Sequence, residues 1–137
     1  MPRLIRFDRI GGPDVLQWVE ASLPAPATGE VQVRHLAVGV NFIDTYHRSG
    51  LYPVPLPSGL GQEAAGVVEA VGEGVEGFEA GMRVFAQSDV GAGKWGSYAE
   101  YACVRHDSVV PMPTGLGFTE AAAVPTPALA AWAGLFD

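Results

Sequence analysis

Eighteen glycines and eleven prolines, about a fifth of the chain, are scattered through 137 residues without a fixed period. A collagen-like fibre needs glycine at every third position, and low-complexity segments cluster their biased residues; neither pattern is present. Each glycine or proline favours a turn, so the segments between them are short. That punctuation fits many turns between short strands. The chain is 48% hydrophobic and only 17% charged, a globular composition, and its length suits one domain with a core of its own.

The segments between turns read mostly as strands. Residues 4–9 and 16–20 suit strands, separated by the turn Gly11-Gly12-Pro13. Val31 and Val33 alternate with Gln32 and Arg34, the mark of a half-buried strand. Near His35 the apolar phase moves by one residue, and Leu36, Val38 and Val40 take over. A phase change inside a continuous strand predicts a β-bulge. Residues 64–71, 82–86, 98–104 and 108–110 are further strands, and Pro111 and Pro113 end the sheet. Residues 41–50 break the pattern: Phe42, Ile43 and Tyr46 fall at helical spacing, with Asp44, Thr45, His47 and Arg48 on the other side. Asn41 suits the N-cap of a short helix and Gly50 its C-terminal stop.

The end of the sequence is helical in pattern. Thr119 suits the N-cap of a short alanine-rich turn, and Thr126 followed by Pro127 reads as N-cap and first helical residue. No glycine or asparagine stop follows, and Asp137 opposes the helix dipole. The sequence therefore reads as one domain over 1–125 and the start of a further helix over 126–137.

Composition excludes several classes of function. A net charge of −7 with dispersed Lys and Arg opposes binding to nucleic acid or to anionic membrane faces. The apolar run over 121–136 is broken by Pro125 and Pro127 and is too short for a membrane span. The first residues carry Arg3, Arg6, Asp8 and Arg9 with no apolar run behind them, unlike a signal peptide. One cysteine, Cys103, forms no internal disulfide, so the expectation is the cytoplasm.

Three apparent motifs fail on context. Gly72, Gly74 and Gly77 match G-x-G-x-x-G, but the next strand arrives before any helix, and Glu69, Glu73, Glu76 and Glu79 surround the glycines. A pyrophosphate site needs helix N-terminal amides and positive potential. Gly91, Gly93 and Lys94 resemble a phosphate loop, yet Trp95 stands where a hydroxyl should meet magnesium. Cys103 and His106 do not make up a zinc ligand set, which takes three or four groups.

The run Val38-Gly39-Val40-Asn41-Phe42-Ile43-Asp44-Thr45-Tyr46-His47-Arg48-Ser49-Gly50-Leu51-Tyr52-Pro53 resembles the medium-chain dehydrogenase/reductase superfamily, in its quinone reductase (zeta-crystallin-like) branch. Gly61-Gln62-Glu63-Ala64-Ala65-Gly66, the spacing of Val75, Phe78, Gly81 and Arg83-Val84, then Tyr98-Ala99-Glu100-Tyr101-Ala102 and 120–124 continue the likeness over the whole chain. The resemblance implies a mainly β fold with short helices: a GroES-like, partly open β-barrel, ending in the first part of an inter-domain helix. It further implies NADPH as cofactor, held mostly by a second domain outside this sequence, a quinone or related small electrophile as substrate, and a homodimeric intact enzyme.

Where zinc alcohol dehydrogenases place Cys and His ligands, the resemblance puts Asn41 and Gln62, which are poor zinc ligands. No metal is expected. The resemblance implies catalytic roles for Tyr46, Tyr52 and Asn41, cofactor contacts from Asn41, Thr126 and Arg48, and a substrate pocket lined by Gln62, Tyr46 and Tyr52. Each has a plainer role open to it: Asn41 as N-cap, the tyrosines as packing, Arg48 as a solvated charge, Thr126 as N-cap. Glu63 reads as a hydrogen-bonding support rather than an acid or base. Activity as an NADPH:quinone oxidoreductase is expected of an intact enzyme, with this chain inactive alone. The alternatives are a stand-alone GroES-like binding or assembly module and a zinc-free reductase of enones or enals.

Overall fold

A computed structural model describes residues 1–136; the expectation that Asp137 opposes a helix dipole falls outside them. The strands are β1 (Arg3–Phe7), β2 (Gln17–Glu20), β3 (Glu30–Val38), β4 (Ser58–Gly59), β5 (Glu63–Val71), β6 (Arg83–Gln87), β7 (Tyr101–Arg105) and β8 (Val109–Pro111). The α-helices are α1 (Phe42–Ser49), α2 (Phe118–Ala122) and α3 (Pro125–Phe136). The mainly β architecture with short helices is the one expected.

All pairings are antiparallel, in a three-stranded sheet β2-β1-β4 and a five-stranded sheet β7-β3-β5-β6-β8. Residues 98–100, expected within one strand with 101–104, instead stitch the two sheets together. Ile5 N–H donates to the Tyr98 carbonyl (2.8 Å) and Glu100 N–H to the Arg3 carbonyl (3.0 Å), while β7 itself starts at Tyr101. The result is a curled half-barrel. Val31, Val33, Val68, Val84, Ala102, Val104 and Val109 fill its main core. Phe7, Val15 and Leu60 fill a second.

The bulge lies where the sequence places it. Along β3, His35 pairs with Gly66 and Ala37 with Ala65, leaving Leu36 as the extra residue. Directly paired residues share a face, so Val33 with Val68 and Val38 with Ala64 face one side, and Ala37 with Ala65 the other. Gly66 opposite the bulge is required: a Cβ there would stand 1.9 Å from the Arg34 carbonyl oxygen. The apolar residues that follow the switch are not buried, however. Leu36 is 50%, Val38 40% and Val40 79% exposed.

Ala37 and Ala65 give α2 a flat seat. Ala121 and Ala122 pack on Ala65, with Phe85, Met112 and Phe118 around them. The helix starts at Phe118 with Gly117 as N-cap, not at an N-cap Thr119. Phe118 belongs to this cluster and also lies under the Arg83 guanidinium (4.6 Å), which draws it into the helix.

A second correction concerns α3. Ala128 N–H donates to the Val124 carbonyl (2.9 Å), so Pro125 is the first helical residue and Thr126 sits inside the first turn rather than capping it. Proline lacks an N–H, and the first turn leaves its N–H groups without intrahelical partners, so both Pro125 and Pro127 fit there. Beyond Thr126 the helix is apolar all round and exposed; Leu129, Trp132, Leu135 and Phe136 are each more than half accessible.

The loop carrying Gly72, Gly74 and Gly77 joins β5 to β6, with no helix after it. Gly72 N–H donates to the Glu30 carbonyl (2.8 Å), and a Cβ on Gly72 would stand 1.9 Å from the Ala27 carbonyl oxygen. Gly72 serves close backbone packing, while Gly74 (φ 77°) and Gly77 (φ 82°) supply left-handed turn backbone. Lys94, from the other rejected motif, pairs with Glu30 at 3.7 Å.

Candidate active site

Asn41 stands at the N-cap of α1 in extended backbone geometry (φ −128°, ψ 156°), and Gly50 ends the helix with φ 85°. Asp44, three residues into the helix, accepts from the Asn41 backbone N–H at 2.9 Å. Its own N–H donates to the Asn41 carbonyl (3.1 Å), with the Asn41 side chain facing it in a capping box. The amide nitrogen of that side chain goes elsewhere: Asn41 Nδ2 donates to Glu63 Oε1 at 2.7 Å.

The helix turns a different face inward from the one its apolar residues suggest. Phe42 is 81% exposed, while Asp44 and His47 are buried. They lie three apart and so share a face. Asp44 makes burial tolerable by accepting from Asn41 N–H and from the Tyr98 hydroxyl (2.7 Å). Burial and the neighbouring Asp44 carboxylate push the Tyr98 phenol well above the usual tyrosine range. Burial lowers the His47 pKa, partly opposed by the Asp44 charge. Asp44 Oδ1 and His47 Nδ1 are buried without partners.

Tyr46 and Tyr52 come together. Their ring centroids are 5.3 Å apart at 70°, an edge-to-face pair, and Tyr52 N–H donates to the Tyr46 carbonyl (3.2 Å). Tyr46 is partly exposed and Tyr52 more than half, so both phenols are accessible. Arg48, in the last turn of α1, donates from Nε to the Gly11 carbonyl (3.2 Å) and accepts from Gly11 N–H through its own carbonyl (3.0 Å). It thus braces the loop after β1. Gln62 is partly exposed just ahead of β5, its carbonyl accepting from Ser88 N–H (2.7 Å).

Glu63, 2% exposed, joins three elements. One carboxylate oxygen holds Asn41; the other accepts from Thr126 N–H at 2.8 Å. That N–H is one of the orphan donors of the first turn of α3, so Glu63 caps a helix from another strand, and its negative charge suits the helix N-terminus. Thr126 Oγ1 is buried without a partner. Asn41, Glu63 and Thr126 therefore form one cluster, and Tyr46 with Tyr52 a second on the same short helix and the loop after it. Sequence reasoning missed the inward role of Asp44 and its bond to Tyr98; an acidic residue three positions after an N-cap signals only the bond it accepts from the Asn41 backbone N–H.

Among the described residues no three His, Cys, Asp or Glu side chains gather into a metal-binding group. Asn41 spends one of its two amide N–H donors on the Glu63 carboxylate. A cleft of 490 Å³ walled by Trp18, His35, Leu36, Val38 and Val40 contains none of the candidate residues. Within it His35 Nδ1 donates to the Ala99 carbonyl (2.8 Å), which leaves a neutral Nε2 buried without a partner, and burial lowers its pKa.

Comparison with known proteins agrees with this architecture. The model of the alcohol dehydrogenase GroES-like domain matches residues 27–114. Quinone oxidoreductase 1 of Escherichia coli is 50% identical over 125 residues, which are 90% of this chain and 37% of that protein. The quinone oxidoreductase of Pseudomonas aeruginosa is 47% identical, with the same coverage. The crystal structure of the Escherichia coli quinone oxidoreductase complexed with NADPH superposes with a TM-score of 0.90 and 45% identity, over 98% of this chain and 40% of that one. The chain spans about two-fifths of the length of the relatives it matches. It belongs to the alcohol dehydrogenase GroES-like domain family, within the medium-chain dehydrogenase/reductase superfamily.

Proposed function

We propose that this chain is the substrate-side domain of a zinc-independent, NADPH-dependent quinone reductase, inactive by itself, with most of the cofactor site supplied by a domain following α3. The observation that carries the reading is the Asn41–Glu63–Thr126 cluster, which lies where α3 begins, in a chain whose relatives are named quinone oxidoreductases. An amide bound to a carboxylate is a poor zinc site and a good site for polar organic groups.

The residues present fit a nicotinamide cofactor. Thr126 Oγ1 is a buried polar atom without a partner, and Asn41 keeps acceptor capacity on Oδ1; these two would contact it, with Arg48 the third candidate. NADPH, when bound, supplies the hydride. As charge builds on the quinone oxygen, the accessible phenols of Tyr46 and Tyr52 donate hydrogen bonds to it, and Gln62 lines the pocket. The exposed apolar face of α3 is where we place the cofactor domain. Quinone or a related small electrophile is the substrate, the cytoplasm the compartment and a homodimer the assembly. The described residues hold no helix long and apolar enough to cross a membrane.

The same exposed helix favours a second reading, a binding or assembly module that uses this face for a protein partner. Titration calorimetry of the 137-residue chain with NADPH, and with NADH beside it, separates the cases. No binding by the chain, with NADPH-dependent quinone turnover in a form extended beyond α3, is the expected result. Faster turnover of enones than of quinones would move the substrate class. No turnover in the extended form would leave the module reading.

A further inference from the structure

A buried carboxylate fixes which end of the Asn41 amide a ligand meets. Glu63 is 2% exposed and both its oxygens are engaged, Oε1 by Asn41 Nδ2 (2.7 Å) and Oε2 by Thr126 N–H (2.8 Å). An ionised carboxylate only accepts hydrogen bonds. The Asn41 amide therefore turns its nitrogen toward Glu63 and its Oδ1 away. That oxygen faces Asp44 N–H, whose hydrogen bond goes to the Asn41 backbone carbonyl, and a carbonyl oxygen carries two lone pairs. The carboxylate has little freedom to move. A Cβ on Gly39 would stand 2.1 Å from Oε1, so glycine is what leaves it room, and Gly39 N–H holds the Glu63 backbone carbonyl at 3.0 Å.

We propose that Glu63 is a positioning residue that sets the polarity of Asn41, holding one amide N–H so that Oδ1 is turned to the ligand and the ligand atom bound at Oδ1 is a hydrogen-bond donor, a hydroxyl or N–H. The inference deepens the quinone-reductase reading and rests on it only for naming the donors: a ribose hydroxyl or the O–H of a hydroquinone product. Contact through Oδ1 cannot stabilise a developing oxyanion, which falls to the phenols of Tyr46 and Tyr52. Because the same carboxylate caps α3, a shift of that helix is felt at Asn41 through one side chain.

The test uses the full 137-residue chain labelled with ¹³C and ¹⁵N. A scalar coupling across the hydrogen bond from Asn41 Nδ2 to the Glu63 carboxylate carbon is expected, with one amide proton shifted downfield and slow to exchange. Freely exchanging, near-equivalent amide protons with no coupling would overturn the positioning. Glu63→Gln removes the coupling. Adding Asn41→Asp restores a hydrogen bond of opposite polarity, since the new amide at 63 donates to the new carboxylate at 41 and still accepts from Thr126 N–H. Two aromatic probes read the direction in the unsubstituted chain. Phenol, a donor, should move the Asn41 side-chain carbonyl carbon at least threefold more than acetophenone, an acceptor only. An equal response, or none, overturns the donor assignment. None of these signals depends on quinone turnover, so the proposal and the quinone-reductase reading fail separately.

Discussion

The Tyr98 hydroxyl donates to Asp44 Oδ2 at 2.7 Å, joining the segment that bridges the two sheets to the first turn of α1. Asp44 is buried, so this is a charge-assisted bond out of water. Tyr98→Phe should lower stability by about 1.5–3 kcal/mol, the usual range for a hydrogen bond to a charged group. Denaturant unfolding measures it. Repeating the change on an Asp44→Asn background should show a smaller loss; equal losses on both backgrounds would mean that the two side chains are not coupled.

Gly39→Ala should disturb the site from outside it. The new Cβ would meet Glu63 Oε1 at 2.1 Å, and Glu63 has two partners to lose if it moves. Overpacking of this kind costs about 1–3 kcal/mol. A fall in Tm, together with a changed environment for Thr126 N–H by NMR, is the expected outcome.

Much of the fold was legible because its signals are local. The phase change at His35 marks a bulge because one extra residue reverses every later side chain, and the register bears it out. Asn41 and Gly50 bound α1 because capping chemistry acts within a few residues. Where tertiary contacts compete, the local signal misleads. Phe42 looked like the inward residue of α1, but Asp44 is held inside by Tyr98, fifty-four positions away. Thr126 looked like an N-cap, yet the helix begins earlier and its N-terminal amide is capped by Glu63 from another strand. Carboxylates that reach across the fold leave no period or spacing in the sequence.

Acid should destabilise the chain through His35. Its Nδ1 donates to the Ala99 carbonyl, its Nε2 is buried, and burial lowers its pKa below the unfolded value of about 6.5. The neutral ring is the folded form. Above the unfolded pKa neither state is protonated and the contribution is whole. As pH falls below that value the unfolded chain takes up a proton that the folded chain resists, and stability drops until the folded pKa is passed. His47, also lowered by burial, adds in the same direction. Melting curves from pH 7.5 to 5 should show a falling Tm, with a shallower slope in His35→Gln.

Two glycines should respond differently to alanine. At Gly66 the Cβ would strike the Arg34 carbonyl oxygen at 1.9 Å, within the bulged pairing that carries the barrel, and the cost should reach about 3 kcal/mol. At Gly77 nothing lies within 4 Å, and the only penalty is the left-handed backbone (φ 82°), about 1–2 kcal/mol. Were Gly77 part of a phosphate cradle, its substitution would instead act on cofactor affinity. Unfolding measurements on the chain, paired with NADPH titration of the form extended beyond α3, distinguish the two.

Tyr46→Phe isolates one phenol from its ring. The edge-to-face contact with Tyr52 survives, so the loop after α1 keeps its support and stability should change little. What is lost is a hydrogen-bond donor to a quinone oxygen as it gains charge, a contribution that grows toward the transition state and so appears in kcat rather than KM. A loss of about tenfold, equivalent to roughly 1.4 kcal/mol, is expected from NADPH oxidation assays with quinone in the form of the protein that binds NADPH. Tyr52→Phe should cost less, because Tyr52 is the more exposed of the pair and water can replace its donor. Unchanged kcat in both variants would remove the phenols from the chemistry and leave them as packing for α1.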